Sequence, residues 1–233
     1  MTVWRVAAAL TCVLAAAAVT NAAGRPVQWR ASDGVSIAAT VYDAPTAQAP
    51  AVVLVHMLTR TKEDWQPFAE RLQAAGFTAL ALDLRGHGQS SGSPAPSSAM
   101  ALDVHAAIRW LAERQDLAPR AVAIVGASIG ASLALIAAAD TPAVRAVALL
   151  SPASDYRGVR LDAALKKFGA RALLLVASSE DPYALRTVRA LAENHAEREQ
   201  RLSPVAAHGS RLLDRDPDVA AALVDWLRRT LLS

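Results

Sequence analysis

Apolar and polar positions along this chain follow two alternating periods. Residues 27–30 and 35–42 alternate every second position, as strands with one face in a core do, and Ser32-Asp33-Gly34 between them is a hairpin signal. Residues 51–56 and 77–82 are unbroken apolar runs, the pattern of strands covered on both faces. Residues 62–75 space Trp65, Phe68, Ala69 and Leu72 on one helical face and stop at Gly76. Residues 44–50 form a Pro/Ala linker, and residues 83–98 a polar, glycine-rich loop. A helix over 99–114 has Leu102, Ala106, Ile108, Trp110 and Leu111 as its buried side. A strand over 121–125 and a helix over 131–139, apolar on every face, come next. The pattern then predicts a strand at 144–150, a helix at 161–168, a strand at 171–177, a helix at 183–195, a short strand at 198–202 and a helix at 217–231. Strands alternating with helices imply parallel strands joined by crossovers, with helices on both faces: an α/β fold.

Composition narrows the picture. A chain of 233 residues suits one sizeable α/β domain, here residues 25–233. Hydrophobic residues make up 53% and aromatics 5%, so the core must be built from Ala, Leu and Val. The formal net charge of +3 is scattered, without the basic block or aromatic-studded stripe that nucleic-acid binding needs. The N-terminus has the form of a targeting segment. One positive charge in residues 1–5 precedes an apolar run over 6–19, and Thr20-Asn21-Ala22 supplies small residues for cleavage. The run is shorter than the roughly 20 residues of a membrane span. Residues 1–22 are therefore read as a signal peptide of a secreted or periplasmic protein, with an uncleaved membrane anchor as the alternative. The sole cysteine, Cys12, lies inside this segment. The mature chain would have no disulfide, no thiol nucleophile and no cysteine-based metal site; no cofactor or metal is expected, nor stable membrane insertion.

The chemistry concentrates at Gly126-Ala127-Ser128-Ile129-Gly130, between a β-branched strand and a helix. In so tight a turn, side chains two before and two after the serine would clash, which glycine avoids. A serine hydroxyl is a weak nucleophile and needs a base, and the base needs an orienting acid. Of five histidines, His208 in Ala206-Ala207-His208-Gly209-Ser210 follows the last strand and is the candidate base. His56 and His87 are expected to brace loops, and His105 and His195 to lie at the surface. Asp181 in Ser178-Ser179-Glu180-Asp181-Pro182 is the candidate acid, with Asp155 the alternative, while Asp83 is expected to tie down the loop of Arg85. The backbone N–H groups of Ile129 and of Leu58, with Met57 next in line, are the candidate oxyanion donors.

These motifs, together with Asp83-Leu84-Arg85-Gly86-His87-Gly88-Gln89-Ser90, resemble the serine hydrolases of the α/β-hydrolase superfamily, the group of small carboxylesterases and dienelactone-hydrolase-like enzymes. The resemblance implies a mostly parallel, twisted sheet of about eight strands and a cofactor-free acyl-enzyme mechanism through Ser128, His208 and Asp181. Three departures shape the expectation. His56-Met57-Leu58 stands where many relatives have His-Gly. Ser128 and Met57 stand where dienelactone hydrolases have a cysteine and a glutamate, which argues against that activity. Residues 151–170 leave room for one loop and one short helix rather than a cap domain, so the site should be open. Met57, Leu58, Trp65, Ile129 and Tyr156 are candidates for its apolar wall. The expected function is hydrolysis of a small-molecule carboxylic ester. The rival readings are a peptidase or amidase on the same fold and a catalytically inactive binding protein.

Overall fold

One antiparallel hairpin opens the sheet, its second strand also lies antiparallel to its other neighbour, and the remaining strands of that sheet run parallel to one another. The computed structural model describes residues 24–117, 119–193, 195 and 198–232. The leader expected over residues 1–22 lies outside them. Strands β1 (Arg25–Arg30) and β2 (Ser36–Tyr42) pair antiparallel through a turn in which Gly34 has φ 85°. Then come β3 (Ala51–Val55), a 3-10 turn (Lys62–Trp65), α1 (Gln66–Ala74), β4 (Thr78–Leu82) and α2 (Ala101–Glu113). Next are β5 (Val122–Ala127), α3 (Ile129–Asp140) and β6 (Val144–Leu150). A small ribbon of β7 (Asp155–Tyr156) and β8 (Val159–Arg160) leads to α4 (Asp162–Phe168) and β9 (Ala172–Ser178). Last come α5 (Pro182–Ala192), β10 (Arg198–Ser203), α6 (Arg211–Arg215) and α7 (Pro217–Leu231). Eight strands form the sheet in the order β1-β2-β4-β3-β5-β6-β9-β10.

Strand periodicity divides the core in two. Ala51, Val53 and Val55 of β3 face a core shared with α2, α3, α4 and α5, whereas Val52 and Leu54 face one shared with α1, α6 and α7. Strand β5 splits likewise, Val122 and Ile124 to the first core and Ala123, Val125 and Ala127 to the second. Small side chains let α3 press close to the sheet, and it is buried from Ile129 to Ala139 except at Ile136. The parallel register puts the ends of β3, β5, β6, β9 and β10 on one edge of the sheet, where loops collect catalytic groups in folds of this type.

Most predicted elements are present, with boundaries moved by a few residues. The helix expected over 183–195 starts at Pro182 and stops at Ala192. The β7–β8 ribbon and α6 were not predicted, because two-residue strands and a five-residue helix are too short to show a period. Between β6 and β9 the chain holds only the ribbon and α4, so no cap domain is inserted there. No helix among the described residues is long and apolar enough to cross a membrane.

Candidate active site

The turn from β5 into α3 holds Ser128 at φ 54° and ψ −119°, a left-handed conformation that is strained for any residue with a Cβ. Two hydrogen bonds fix it. The Ser128 N–H donates to the Leu150 carbonyl at 2.8 Å, and the Ser128 carbonyl accepts from the Ala131 N–H at 2.9 Å. The flanking glycines are required by contact distances. A Cβ at Gly126 would lie 2.2 Å from the Gly130 carbonyl oxygen, and one at Gly130 would lie 2.4 and 2.5 Å from the carbonyl oxygens of Val55 and His56.

Asp181 and His208 meet at the ends of β9 and β10. The Asp181 Oδ2 lies 2.5 Å from the His208 Nδ1, while its Oδ1 accepts from the Ala184 N–H at 3.2 Å and caps α5. Pro182 takes the first helical position, where its missing N–H is no loss. One carboxylate thus starts a helix and holds an imidazole. The loop bearing His208 rests against the serine turn, since a Cβ on Gly209 would lie 2.8 Å from the Met57 Sδ and 3.4 Å from the Ala127 Cβ. The structure therefore brings Ser128, Asp181 and His208 to one edge. The His208 ring bonds to Asp181 and not to Asp155, whose exposed side chain turns to its own ribbon, its Oδ1 accepting from the Gly158 N–H at 3.2 Å.

The turn after β3 runs beside the serine turn, because Val55 pairs in register with Gly126. Among the described residues, the N–H groups of Met57, Leu58 and Ile129 have no protein acceptor. For Ile129 this follows from its place at the start of α3. His56, fully buried, stiffens the turn. Its Nδ1 donates to the Met57 carbonyl at 2.8 Å, and its Nε2 accepts from the Leu84 N–H at 2.9 Å. Burial pushes its pKa down to about 4, so it is the neutral imidazole this pair of bonds requires. No group of three or more His, Cys, Asp or Glu among the described residues could hold a metal ion.

Comparison with known proteins agrees with this fold. Residues 50–213 match the family model described as alpha/beta hydrolase fold. The chain belongs to that family. An uncharacterized protein of Mycobacterium tuberculosis, Rv2307c, is 30% identical over 131 residues, 56% of this chain and 46% of its own length. The chain thus spans about half the length of the curated relatives it matches. An esterase of Pyrococcus furiosus, Pf2001, superposes with a TM-score of 0.76 at 17% identity, covering 89% of this chain and 93% of the esterase. A dienelactone hydrolase of Anabaena variabilis superposes with a TM-score of 0.75 at 21% identity, covering 89% and 98%.

Two buried ion-pair networks hold the loop after β4 in place. Asp83, fully buried, accepts from the backbone N–H and the Nζ of Lys62, both at 2.7 Å, and from the Gln89 N–H at 2.9 Å. Arg85 donates to Asp103 through Nε at 2.9 Å and Nη2 at 2.7 Å, and to Asp33 through Nη1 at 2.6 Å. Burial disfavours the guanidinium, but the bonds to Asp103 and Asp33 outweigh it and hold the charge. His87 stacks edge-on against His56, with ring centroids 5.1 Å apart. The loop-bracing expectations for His56, His87 and Asp83 agree with these contacts. His105 is half-buried, 3.5 Å from Asp140.

The wall candidates divide. Trp65 is fully buried against Phe68, and the Ile129 side chain is 1% exposed, so both are core. Met57, Leu58 and Tyr156 are half-buried and remain available. Sequence reasoning missed Ser151. Its hydroxyl accepts from the Gly209 N–H, and only its place one residue after a strand hinted at it.

Proposed function

We propose that this chain is a serine hydrolase of carboxylic esters, with Ser128 as nucleophile, His208 as general base and acid, and Asp181 as orienting acid. The observation that carries the reading is the 2.5 Å bond from His208 to Asp181, made in a loop packed on the turn that strains Ser128. In this reading the Ser128 Oγ attacks the acyl carbon and its proton passes to the His208 Nε2. The tetrahedral oxyanion is held by the backbone N–H groups of Ile129 and Leu58. As the C–O bond breaks, His208 returns the proton to the departing alkoxide. Water, deprotonated by His208, then cleaves the acyl-serine to acid and free serine. Asp181 holds the imidazole in the tautomer that presents Nε2 and stabilises the imidazolium. His208 is half exposed and no cap crosses the described chain between β6 and β9, which favours small substrates arriving from solvent. The apolar segment over residues 6–19 supports export to the periplasm or beyond, and N-terminal sequencing of the exported protein tests that.

Treatment with a fluorophosphonate followed by peptide mapping tests the site. The expected result is one adduct, on Ser128, absent from His208→Ala. A well-folded protein that takes no adduct would overturn the proposal in favour of a binding role. Matched ester and amide substrates then separate an esterase from an amidase.

A further inference from the structure

Ser151 combines burial, strain and a long-range bond in one side chain. It follows β6 by one residue, is 1% exposed and has φ 50°, a left-handed conformation that serine adopts at a cost. Its backbone N–H donates to the Val176 carbonyl of β9 at 2.7 Å, which locks the residue between two central strands. Its Oγ accepts from the N–H of Gly209 at 2.9 Å, 58 residues further along the chain. Gly209 is itself buried, and a Cβ added there would run into Met57 and meet Ala127.

We propose that Ser151 is a positioning residue for His208: its buried hydroxyl grips the peptide between His208 and Gly209 and so keeps the imidazole on Asp181. This rests on the triad reading above. His208 needs such a grip because 47% of its side chain faces solvent, so packing alone does not orient it. Its direction comes from Asp181 at one end and from its own backbone at the other. The rest of the loop is held by similar means. The Ser178 hydroxyl donates to the Val205 carbonyl at 2.7 Å, the Val205 N–H donates to the Ser203 Oγ at 3.1 Å, and the Arg215 Nη1 donates to the Ala206 carbonyl at 3.1 Å. Of these anchors, Ser151 grips the peptide that adjoins the histidine.

The test is Ser151→Gly, because glycine accepts φ 50° without strain and lacks the hydroxymethyl group that carries the acceptor. Thermal midpoint, kcat and KM on p-nitrophenyl acetate, and the downfield proton resonance of the His208–Asp181 bond are measured on wild type and variant. The expected result is a folded variant whose kcat falls by about 10- to 100-fold, as loss of alignment by an ångström does, with KM within about twofold. Its downfield resonance should broaden or vanish. Ser151→Asn, which tolerates the conformation and carries a carbonyl acceptor, should recover part of both signals. A folded Ser151→Gly with wild-type kcat and wild-type resonance would overturn the proposal. Should that variant fail to fold, the same readouts on Ser151→Ala decide. If the wild type neither cleaves the ester nor takes a fluorophosphonate, the functional reading fails. The resonance alone then decides the role of Ser151, its loss supporting the role and its retention refuting it.

Discussion

A single added methyl group measures how closely the serine turn is built. Gly130→Ala would drive a Cβ to 2.4 Å from the Val55 carbonyl oxygen and so displace the end of β3. That backbone is held on both sides by neighbouring strands and cannot yield cheaply. The expected cost is about 2–3 kcal/mol, in the upper part of the range for overpacked cores, lowering Tm by roughly 5–10 °C in thermal unfolding. Asp181 allows its two tasks to be separated. Asp181→Asn keeps an oxygen for the Ala184 N–H but removes the charge facing His208. Ester turnover should fall by about 10³–10⁴-fold with the urea midpoint almost unmoved. Asp181→Ala should lose turnover equally and also the cap, for about 1 kcal/mol less stability. An Asn variant keeping more than a tenth of wild-type turnover would remove Asp181 from the orienting role.

Elements rather than single residues are coupled by His56, which ties the turn after β3 to the first residues beyond β4. Its folded pKa of about 4 lies below the roughly 6.5 of a free imidazole, so the unfolded chain takes up the proton first as pH falls. The stability it contributes is complete above pH about 6.5 and drains away toward pH 4, by on the order of 3 kcal/mol. Urea midpoints measured from pH 7.5 to pH 4 should fall more steeply in the wild type than in His56→Gln, and parallel curves would sink the idea. The same elements show what the sequence makes legible. β3 and β5 can be read because two-sided burial leaves unbroken apolar runs. The serine turn can be read because steric conflict forces Gly126 and Gly130. Asp181 and His208 follow from their places after successive strands. Trp65 misleads, since an aromatic at helical spacing looks the same whether it lines a pocket or fills a core. Ser151 stays hidden because nothing in a serine's identity announces a positive φ or a partner 58 residues away.

At the scale of the whole molecule, the sheet ends in two edges, β1 and β10. β10 carries Arg198, Glu199, Gln200 and Arg201 in succession, largely exposed, and Glu199 is paired with Arg229 at 3.0 Å. Charge of this kind discourages a second sheet from adding to the edge. Replacing Glu199 and Arg201 together by valine should increase self-association with concentration, read by light scattering on a sizing column. An unchanged mass would mean that the edge is guarded by other means. Behind the sheet, α3 has almost no face toward water. Most surface helices can fray or lift away singly, and their amides exchange with deuterium through such partial openings. The helix that begins just past Ser128 has no such route, because exposing it means parting β5 and β6 from the helices that cover them. Its amides should therefore exchange only at the rate of complete unfolding, while those of α5, exposed along its outer side, exchange sooner. The serine is mounted on the part of the molecule that lets go last, so on heating its reactivity and the fold should disappear together.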